Sequence, residues 1–362
     1  MKNTFGNSIT LTLFGESHGE AIGAVLDGLA PGIEIDNEYI SNKLALRRPC
    51  GKISTSRVEK DEFNIVSGVF NGKTTGAPLC VLIPNTNTRS GDYANLIDQP
   101  RPSHADFTAN CKYNGFQDYR GGGHFSGRVT VAIVCACAII QQALEKKGIF
   151  IGSHIAYTNS IKDRNITSID DVKHLNNAQF PVLDERVAVK MQNMIEEVAQ
   201  EGDSVGGILE TAVFGIPTGV GEPWFDSLEG VLSHAIFSVP AVKGVEFGAG
   251  FDLADMKGSE ANDTFAFNGE KVVTERNNNG GINGGISNGM PIIIKTAIKP
   301  TPSIYKEQNT LRLSTKEKEL LQIKGRHDPA IIHRARVVVD AVTALTIADM
   351  LAVKFGTDYL AK

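Results

Sequence analysis

The sequence predicts an α/β (α+β) fold in a single domain, in which sheets and helices are stacked on one another. Segments rich in β-branched and apolar residues alternate with segments of helical periodicity, and no shift in composition separates the two kinds. The 362 residues contain no repeat of fixed period, low-complexity tail or obvious linker. A division into two domains is the alternative for a chain of this length.

The individual strands and helices are predicted from local patterns. Residues 8–14 are β-branched and apolar and run into a glycine-bounded turn at 15–19, which is typical of a strand end. A helix over 36–46 delivers Arg47 and Arg48 and ends at Pro49, because proline cannot continue a helix. The remaining predictions are strands at 21–29, 62–70, 79–83 and 291–298, and helices at 129–140, 184–200, 227–238 and 335–355.

Composition narrows the class of protein. Hydrophobic residues make up 41% of the chain, charged residues make up 21%, and the formal net charge is -5, as in an ordinary globular protein. This balance indicates neither a nucleic-acid partner nor a membrane partner. The most apolar segment, 129–140, is shorter than the roughly 20 residues that span a bilayer, so we expect a buried core helix there.

The cysteines and the first residues bear on the compartment. The five cysteines are an odd number and none has Cys-x-x-Cys spacing, which argues against a disulfide framework and a thiolate metal site. The first residues lack the apolar run and cleavage site of a secretory signal. We therefore expect the reducing cytoplasm and no bound metal. The cysteines are Cys50, Cys80, Cys111, Cys135 and Cys137.

The clearest signal for a ligand is the segment 120–128, Arg-Gly-Gly-Gly-His-Phe-Ser-Gly-Arg. Glycines that open a helix present backbone N–H groups and a positive dipole end to an anion. Ser126 adds a hydroxyl group, and Arg120 and Arg128 add positive charge. A flexible turn capped by Ser126 explains the glycines alone about as well, and the arginines favour the ligand.

A second glycine-rich segment, 280–289, has little side-chain bulk to prevent the close approach of a flat or phosphorylated ligand. It lacks both the Gly-x-Gly-x-x-Gly spacing and the phosphate-loop lysine motif, so the kind of ligand stays open. A hairpin of tight turns is the alternative.

The arginines are candidates for anion sites, because the guanidinium group binds phosphate and carboxylate through two hydrogen bonds. Arg47 and Arg48, with Lys52 and Arg57 nearby, form one such group, and Arg101 beside His104 forms another. A solvated basic face is the usual explanation of a charge cluster.

Two histidines, His18 and His104, lie in short loops bounded by glycine or proline, where functional residues are common. Each histidine alone has a structural explanation. Histidine exchanges protons near neutral pH, so the pair beside arginines predicts acid catalysis at two ligands.

Two other classes of function have to be weighed. Residues 15–19, Gly-Glu-Ser-His-Gly, match the nucleophile elbow of a serine hydrolase with Ser17 as nucleophile, although only fourteen residues precede them. A scaffold that binds flavin or polyanions without turnover is the non-enzymatic alternative.

Taken in order, these segments resemble the chorismate synthase family over nearly the whole chain. The matching segments are 14–19, 47–49, 67–76, 101–106, 202–207, 221–223, 243–248, 280–289, 299–304 and 325–329. The resemblance implies a β-α-β-α sandwich, a homotetramer and a place in the shikimate pathway of aromatic amino-acid biosynthesis. It also implies an anti-1,4-elimination of phosphate from 5-enolpyruvylshikimate 3-phosphate to give chorismate, which requires reduced FMN without net redox change.

The resemblance also assigns roles to residues. His18 would be the acid near the departing phosphate, and His104 would protonate or stabilise reduced flavin. Ser17 and Ser126 would relay protons, and Asp328 would assist proton removal through the flavin. Substrate anions would be bound by Arg47, Arg48, Arg101 and Arg128. The positions implied for FMN are His124, Phe125, Ser126, Pro240, Ala241, Gly284, Lys299, Pro300, Thr301, Pro302, Ser303 and Arg326.

Some features of the resemblance leave questions open. The family usually has arginine and serine at His124 and Phe125, alanine at Gly127 and glycine at Cys50. The first two departures bear on contacts with the flavin phosphate. Arg47 matches the pyridine-nucleotide position of members that reduce flavin in place, and the sequence leaves open whether NADPH is the reductant here.

Overall fold

The computed structural model describes residues 2–49, 51–54, 60–86, 97–323 and 328–361, apart from the side chain of Lys52. The strands are β1 (Thr4–Phe5), β2 (Thr10–Gly15), β3 (Ala21–Asp27), β4 (Asn64–Ser67), β5 (Val69–Phe70), β6 (Lys73–Thr74), β7 (Leu79–Pro84), β8 (Phe150–Thr158), β9 (Ile161–Lys162), β10 (Gly207–Phe214), β11 (Val242–Phe247), β12 (Phe265–Asn268), β13 (Lys271–Thr274), β14 (Ile282–Asn283), β15 (Ile286–Ser287), β16 (Ile292–Ile298), β17 (Gln308–Arg312) and β18 (Glu317–Leu321). The α-helices are α1 (Asn37–Arg47), α2 (Asp106–Lys112), α3 (Thr130–Lys146), α4 (Ile169–Leu175), α5 (Glu185–Gln200), α6 (Leu228–Phe237), α7 (Gly258–Ala261) and α8 (Ile332–Phe355).

The strands form two five-stranded antiparallel sheets. The first sheet has the order β1-β2-β3-β7-β4, and the second has the order β11-β16-β10-β8-β9. In the second sheet β10 pairs with β16 in a register that joins Gly207 to Ile298. The other strands form two-stranded hairpins outside these sheets.

Helices separate the two sheets. Helix α3 packs on β3 and β7 of the first sheet, α8 packs on β8 and β10 of the second, and α3 and α8 pack on each other. The far face of the second sheet is covered by α4, whose Val172 and Leu175 are buried with Ala212. The layers are therefore sheet, helices, sheet, helix, which confirms the predicted β-α-β-α sandwich.

The predicted apolar core helix is α3. Its residues 130–141 are all buried, and its last turn is followed by Gly148 with a φ of 76°, as expected for a glycine stop. Among the described residues one helical segment, Gly127–Lys146, is long and apolar enough to cross a membrane, and 89% of its most apolar window is buried inside the protein. The segment is thus a core element of this fold.

Side-chain caps account for the helix starts that the sequence predicted. Asp36, Asp184 and Ser227 each accept a hydrogen bond from the first turn of α1, α5 and α6. Asp349 of α8 acts across the fold, because its buried carboxylate accepts from the backbone N–H groups of residues 7–9 at 2.7 to 2.9 Å. The N-terminal segment is thereby fixed to the last helix.

One predicted strand, 62–70, is wrong in its extent. The chain divides it into β4 and β5, which lie in different sheets. Gly68 lies between them with a φ of 83°, and a Cβ atom there would lie 2.5 Å from the Leu79 Cα atom. Only glycine fits this break, so one strand cannot continue through it.

Candidate active site

The glycine triplet Gly121–Gly123 separates the two predicted histidines. A Cβ atom on Gly121 would lie 2.2 Å from His18 Cε1, and one on Gly122 would lie 3.6 Å from His104 Cε1. All three glycines have positive φ angles, which allows the backbone to turn tightly between the two rings. The structure therefore brings together two histidines that are 86 positions apart (104 minus 18).

His18 lies in the turn between β2 and β3 and is 8% exposed. The backbone N–H of Ser17 donates to the Gly123 carbonyl at 3.1 Å, which ties this turn to the glycine triplet. Ser17 Oγ is buried and has no hydrogen-bond partner among the described residues. Such a hydroxyl group can serve a ligand or a proton relay.

His104 lies at the centre of a second network. Its Nδ1 atom is 2.6 Å from Asp106 Oδ1, and Arg101 donates to both oxygens of the same carboxylate at 2.8 Å. Burial acts to raise the pKa of Asp106, but the hydrogen bonds from Arg101 and His104 outweigh it and hold that pKa well below its usual range. Asp106 is therefore an ionised acceptor.

Three of the predicted arginines meet at one carboxylate. Asp61, which is 5% exposed, pairs with Arg47 at 3.7 Å, with Arg48 at 4.0 Å and with Arg128 through a short hydrogen bond. Three guanidinium groups are thereby gathered around one buried carboxylate. Such a cluster suits an anionic ligand.

Arg47 also supports the loop itself. Its guanidinium group donates to Thr130 Oγ1 at 3.1 Å and to the Gly127 carbonyl at 2.8 Å. Because Arg47 is 7% exposed, the side chain holds the junction between the glycine loop and α3 in place. Its role toward a pyridine nucleotide stays a prediction.

Asn85 joins the arginine cluster to the His18 turn. Its Nδ2 atom donates to the carbonyl groups of Glu16 and Gly19 at 3.0 and 2.9 Å, and its Oδ1 atom accepts from Arg128 at 3.2 Å. The turn that carries His18 and the Arg128 side chain are therefore held by one shared amide.

Most segments predicted to bind flavin lie beside His104. Lys299 donates through Nζ to the Ser103 carbonyl and through its backbone N–H to the Ala241 carbonyl. Ser303 Oγ accepts from Arg101 at 3.5 Å. The segments 240–241 and 299–303 are thus brought together with the His104 network, and burial together with the nearby Lys243 lowers the pKa of Lys299.

The three residues after the glycine triplet have different environments. His124 Nδ1 is 2.8 Å from the Gly15 carbonyl, so the ring anchors the end of β2. Phe125 is 39% exposed and packs edge-on against Tyr113. Ser126 Oγ accepts from the Arg128 N–H at 3.3 Å and caps the 3₁₀ turn before α3. The predicted helix start is therefore preceded by a short turn.

Two further predicted flavin positions are Gly284 and Arg326. Gly284 lies at the tip of the β14–β15 hairpin, whose Gly285 carbonyl accepts from the Leu228 N–H at 2.9 Å. The hairpin of tight turns that the sequence offered as the alternative is therefore present. Arg326, like Arg57 and Cys50, lies outside the described residues.

Asp328 precedes α8, where the sequence allowed either a structural or a catalytic role. Its Oδ2 atom accepts from Arg334 at 2.7 Å, and Arg334 Nε donates to the Arg47 carbonyl at 2.8 Å. Asp328 is therefore linked to the arginine cluster through one side chain.

The local structure contradicts the serine-hydrolase alternative. A nucleophile elbow is a strand, a sharp turn and a helix with an exposed serine. Here the turn that carries Ser17 leads from β2 into the antiparallel strand β3, and Ser17 is fully buried.

Among the described residues no group of three His, Cys, Asp or Glu side chains could hold a metal ion.

Comparisons with known proteins agree with the fold and identify the family. The chorismate synthase family model matches residues 9–352. The chorismate synthases of Pyrococcus abyssi and Thermococcus kodakarensis are 45% and 43% identical over 96% of both chains, and that of Dehalococcoides mccartyi is 43% identical over 98%. A chorismate synthase crystal structure superposes with a TM-score of 0.77 at 27% identity, covering 97% of this chain and 94% of that one.

The α+β sandwich and these relatives define the class as a lyase that acts on a phosphate ester. The chain belongs to the chorismate synthase family, and so its activity is that of the shikimate pathway enzyme that forms chorismate.

Proposed function

We propose that this chain converts 5-enolpyruvylshikimate 3-phosphate to chorismate and inorganic phosphate by an anti-1,4-elimination. One carbon–oxygen bond to phosphate breaks, one proton leaves a ring carbon, and a second ring double bond forms without net redox change. The observation that carries the proposal is the placement of His18 and His104 beside neighbouring glycines of one triplet, with Arg128 of the arginine cluster in the same loop.

The arginine cluster accounts for substrate binding. The substrate carries one phosphate and two carboxylates, and Arg47, Arg48 and Arg128 surround the single carboxylate of Asp61. Guanidinium groups clustered in this way attract an anion, and burial strengthens the attraction by excluding water. We assign the substrate anions to this cluster.

His18 is the proposed acid for the departing phosphate. It is buried beside the glycine triplet, and Asn85 fixes its turn to Arg128. A Cβ atom on Gly121 would lie 2.9 Å from the Ser17 hydroxyl oxygen and 2.2 Å from His18 Cε1. The two side chains therefore approach the same point of the triplet, and we place the start of a short proton relay at this point. Ser126 and Asp328 are the further relay and acceptor groups in this proposal.

The residues around His104 fit FMN. Thr301 Oγ1 is buried without a hydrogen-bond partner in the described part of the chain, and Lys299 and Ser303 of the same segment add a cation and a hydroxyl group near His104. Gly122 leaves the space in front of His104 free of a side chain. When bound, reduced FMN supplies an electron-rich ring that assists loss of phosphate.

Exposed aromatic residues support the proposed homotetramer. Trp224, Phe225, Phe251, Phe265 and Phe267 are each between 73% and 96% exposed and lie within residues 224–267. Aromatic side chains exposed at this density are typical of an interface between subunits. We further propose that the assembly works in the cytoplasm, where its cysteines would stay reduced; Cys80, Cys111, Cys135 and Cys137 are all free.

His18→Ala and His104→Ala test the acid assignments. Each change is expected to lower kcat by about 100-fold or more, the usual contribution of a positioned acid. His104→Ala is also expected to weaken FMN binding, measured by fluorescence quenching, whereas His18→Ala leaves it within about twofold. Unchanged turnover in both variants, with circular dichroism showing folded protein, would refute the assignments.

The source of reduced flavin is decided by a separate assay. Oxidised FMN and NADPH are supplied without oxygen and without a reductase, and a dithionite-reduced sample serves as control. Chorismate in both samples identifies an intrinsic reductase, and chorismate in the control alone identifies an external source of reduced FMN.

A further inference from the structure

We infer that Asp106 and Arg101 form a positioning pair for His104. The pair fixes the imidazole ring through its Nδ1 atom and presents Nε2 to the cavity beside Gly122. This inference rests on the proposed function of His104, and it gives Arg101 a role other than binding the substrate directly. It is carried by the contacts of the two ring nitrogens.

The contacts of Nδ1 decide which nitrogen carries the proton. Asp106 Oδ1 is 2.6 Å from Nδ1 and Arg101 NH2 is 3.0 Å from it. A guanidinium group only donates and an ionised carboxylate only accepts, so Nδ1 cannot accept from Arg101 while it donates to Asp106. The contact with Asp106 is the shorter of the two, so we assign Nδ1 as its donor. The neutral ring therefore has its proton on Nδ1 and its lone pair on Nε2.

The position of Nε2 fits this assignment. A Cβ atom on Gly122 would lie 3.8 Å from Nε2, so the missing side chain leaves this nitrogen facing open space. The cavity beside His104 is lined by Asp106, Asp118, Tyr119, Gly122 and Phe125, among other residues. Because Asp106 and Arg101 already engage Nδ1, Nε2 is the ring nitrogen that remains for a ligand in this cavity.

Arg101 holds the carboxylate rather than a ligand. Its Nε and NH2 atoms donate to the two oxygens of Asp106, and its backbone N–H donates to Oδ2 at 3.0 Å. Asp106 thus occupies the Nε/NH2 edge of the guanidinium group, and NH1 contacts Ser303 Oγ at 3.5 Å. Arg101 also keeps Asp106 ionised, because it neutralises a carboxylate that is largely buried.

The test reads the ring nitrogens directly in flavin-free protein. Protein labelled with ¹⁵N-histidine is measured by solid-state NMR at a pH where the His104 ring is neutral, and the His104 signals are identified by their loss in His104→Gln. The wild-type ring is expected to carry its proton on Nδ1. In Asp106→Ala the proton is expected to move to Nε2, because Arg101 then donates to Nδ1. Asp118→Asn, which removes a carboxylate from the same cavity, should leave the wild-type pattern.

Kinetics separate a positioning role from substrate binding. Asp106→Ala and Arg101→Gln are each expected to lower kcat by about 100-fold, the effect of a misplaced group, with KM for the substrate within about threefold. The double variant is expected to be no worse than the poorer single variant. Asp106→Asn replaces the alanine variant if that variant does not fold. In Asp106→Asn, too, the His104 proton should no longer be confined to Nδ1.

Three results would overturn the inference. They are an unchanged ring pattern in both Asp106 variants, a KM raised at least tenfold in Arg101→Gln with kcat unchanged, or additive losses in the double variant. If wild-type protein makes no chorismate, the proposed function fails instead, and the NMR result on free protein still decides the positioning of His104.

Discussion

Gly121 shows how closely the candidate active site is packed. A Cβ atom there would lie 2.2 Å from His18 Cε1 and 2.9 Å from Ser17 Oγ, and the backbone has a φ of 58°. Gly127 lies in the same loop, yet a Cβ atom there would have no neighbour within 4 Å. The two glycines therefore serve as a matched pair for substitution.

Gly121→Ala is expected to displace His18 and to lower kcat/KM by about 100-fold, since a shift of about 1 Å in a catalytic group has that effect. The backbone cost of the positive φ adds about 1 kcal/mol to the loss of stability. Gly127→Ala should keep activity within about twofold. Steady-state kinetics and thermal unfolding measure both, and equal activity of the two variants would refute the proposed contact with His18.

Residues of the site differed in how far the sequence could reveal them. His18, His104 and the arginines were found because histidine and arginine in glycine-bounded loops indicate proton transfer and anion binding. Asp61 and Asn85 were missed, because their roles depend on contacts with Arg128 that span 67 and 43 positions. Their own neighbours in the chain carry no signal for such contacts.

At the scale of elements, the second sheet contains a buried histidine that the sequence did not single out. His154 of β8 contacts Asp163 at 2.9 Å through Nδ1 and Glu210 of β10 at 3.2 Å through Nε2. Asp163 in turn accepts from the backbone N–H groups of Leu183 and Asp184, at the start of α5. The imidazole therefore ties two strands to the neighbouring helix.

The contacts of His154 with Asp163 and Glu210 make the free energy of unfolding depend on pH. Burial acts to lower the pKa of His154, but the hydrogen bonds and charges of Asp163 and Glu210 outweigh it and raise the pKa. A raised folded-state pKa gives stability that is complete below the unfolded value of about 6.5 and is lost as pH rises through the folded value. The stabilisation by His154 should therefore decrease toward alkaline pH.

Urea unfolding of wild-type protein and His154→Gln across this pH range measures the effect. The variant is expected to lose about 3 kcal/mol or more below the unfolded pKa, as for a broken buried ion pair, and less as pH rises. His174→Gln, a change at an exposed histidine of α4, serves as the control for loss of an imidazole outside a buried ion pair. A loss that grows with pH would contradict the assigned direction.

Elements with local signals were predicted well. The starts of α1, α5 and α6 agree with the sequence because Asp and Ser caps act within a few residues. The strand 62–70 was drawn too long because its division at Gly68 depends on contact with Leu79. Strands β8 and β10 carried no local signal that was recognised, although they are central in the second sheet.

At the scale of the whole molecule, residue patterns alone reached only an α/β fold. The order of layers depends on pairings such as Gly207 with Ile298, which are 91 positions apart (298 minus 207). No local pattern encodes such a pairing, so the sandwich followed from the family resemblance. The same holds for the proposed homotetramer, whose support in this chain is the set of exposed aromatic residues at 224–267.

Phe225→Glu tests that surface. Phe225 is 96% exposed, and a charge in a buried apolar interface should dissociate the tetramer into smaller species at micromolar concentration. Phe116→Glu changes a residue that is 93% exposed elsewhere in the chain and should leave the assembly intact. Light scattering after size exclusion measures the mass. A tetramer in both variants would show that the surface around Phe225 is not the interface between subunits.

The requirement for reduced flavin tests the central claim most directly. Purified protein is mixed without oxygen with 5-enolpyruvylshikimate 3-phosphate and FMN, either oxidised or reduced by dithionite, and chorismate and phosphate are followed together. The account predicts equal amounts of both products with reduced FMN, no net flavin oxidation, and no product when FMN is oxidised and no reductant is present. Product formation without flavin, or stoichiometric oxidation of FMN during turnover, would contradict it.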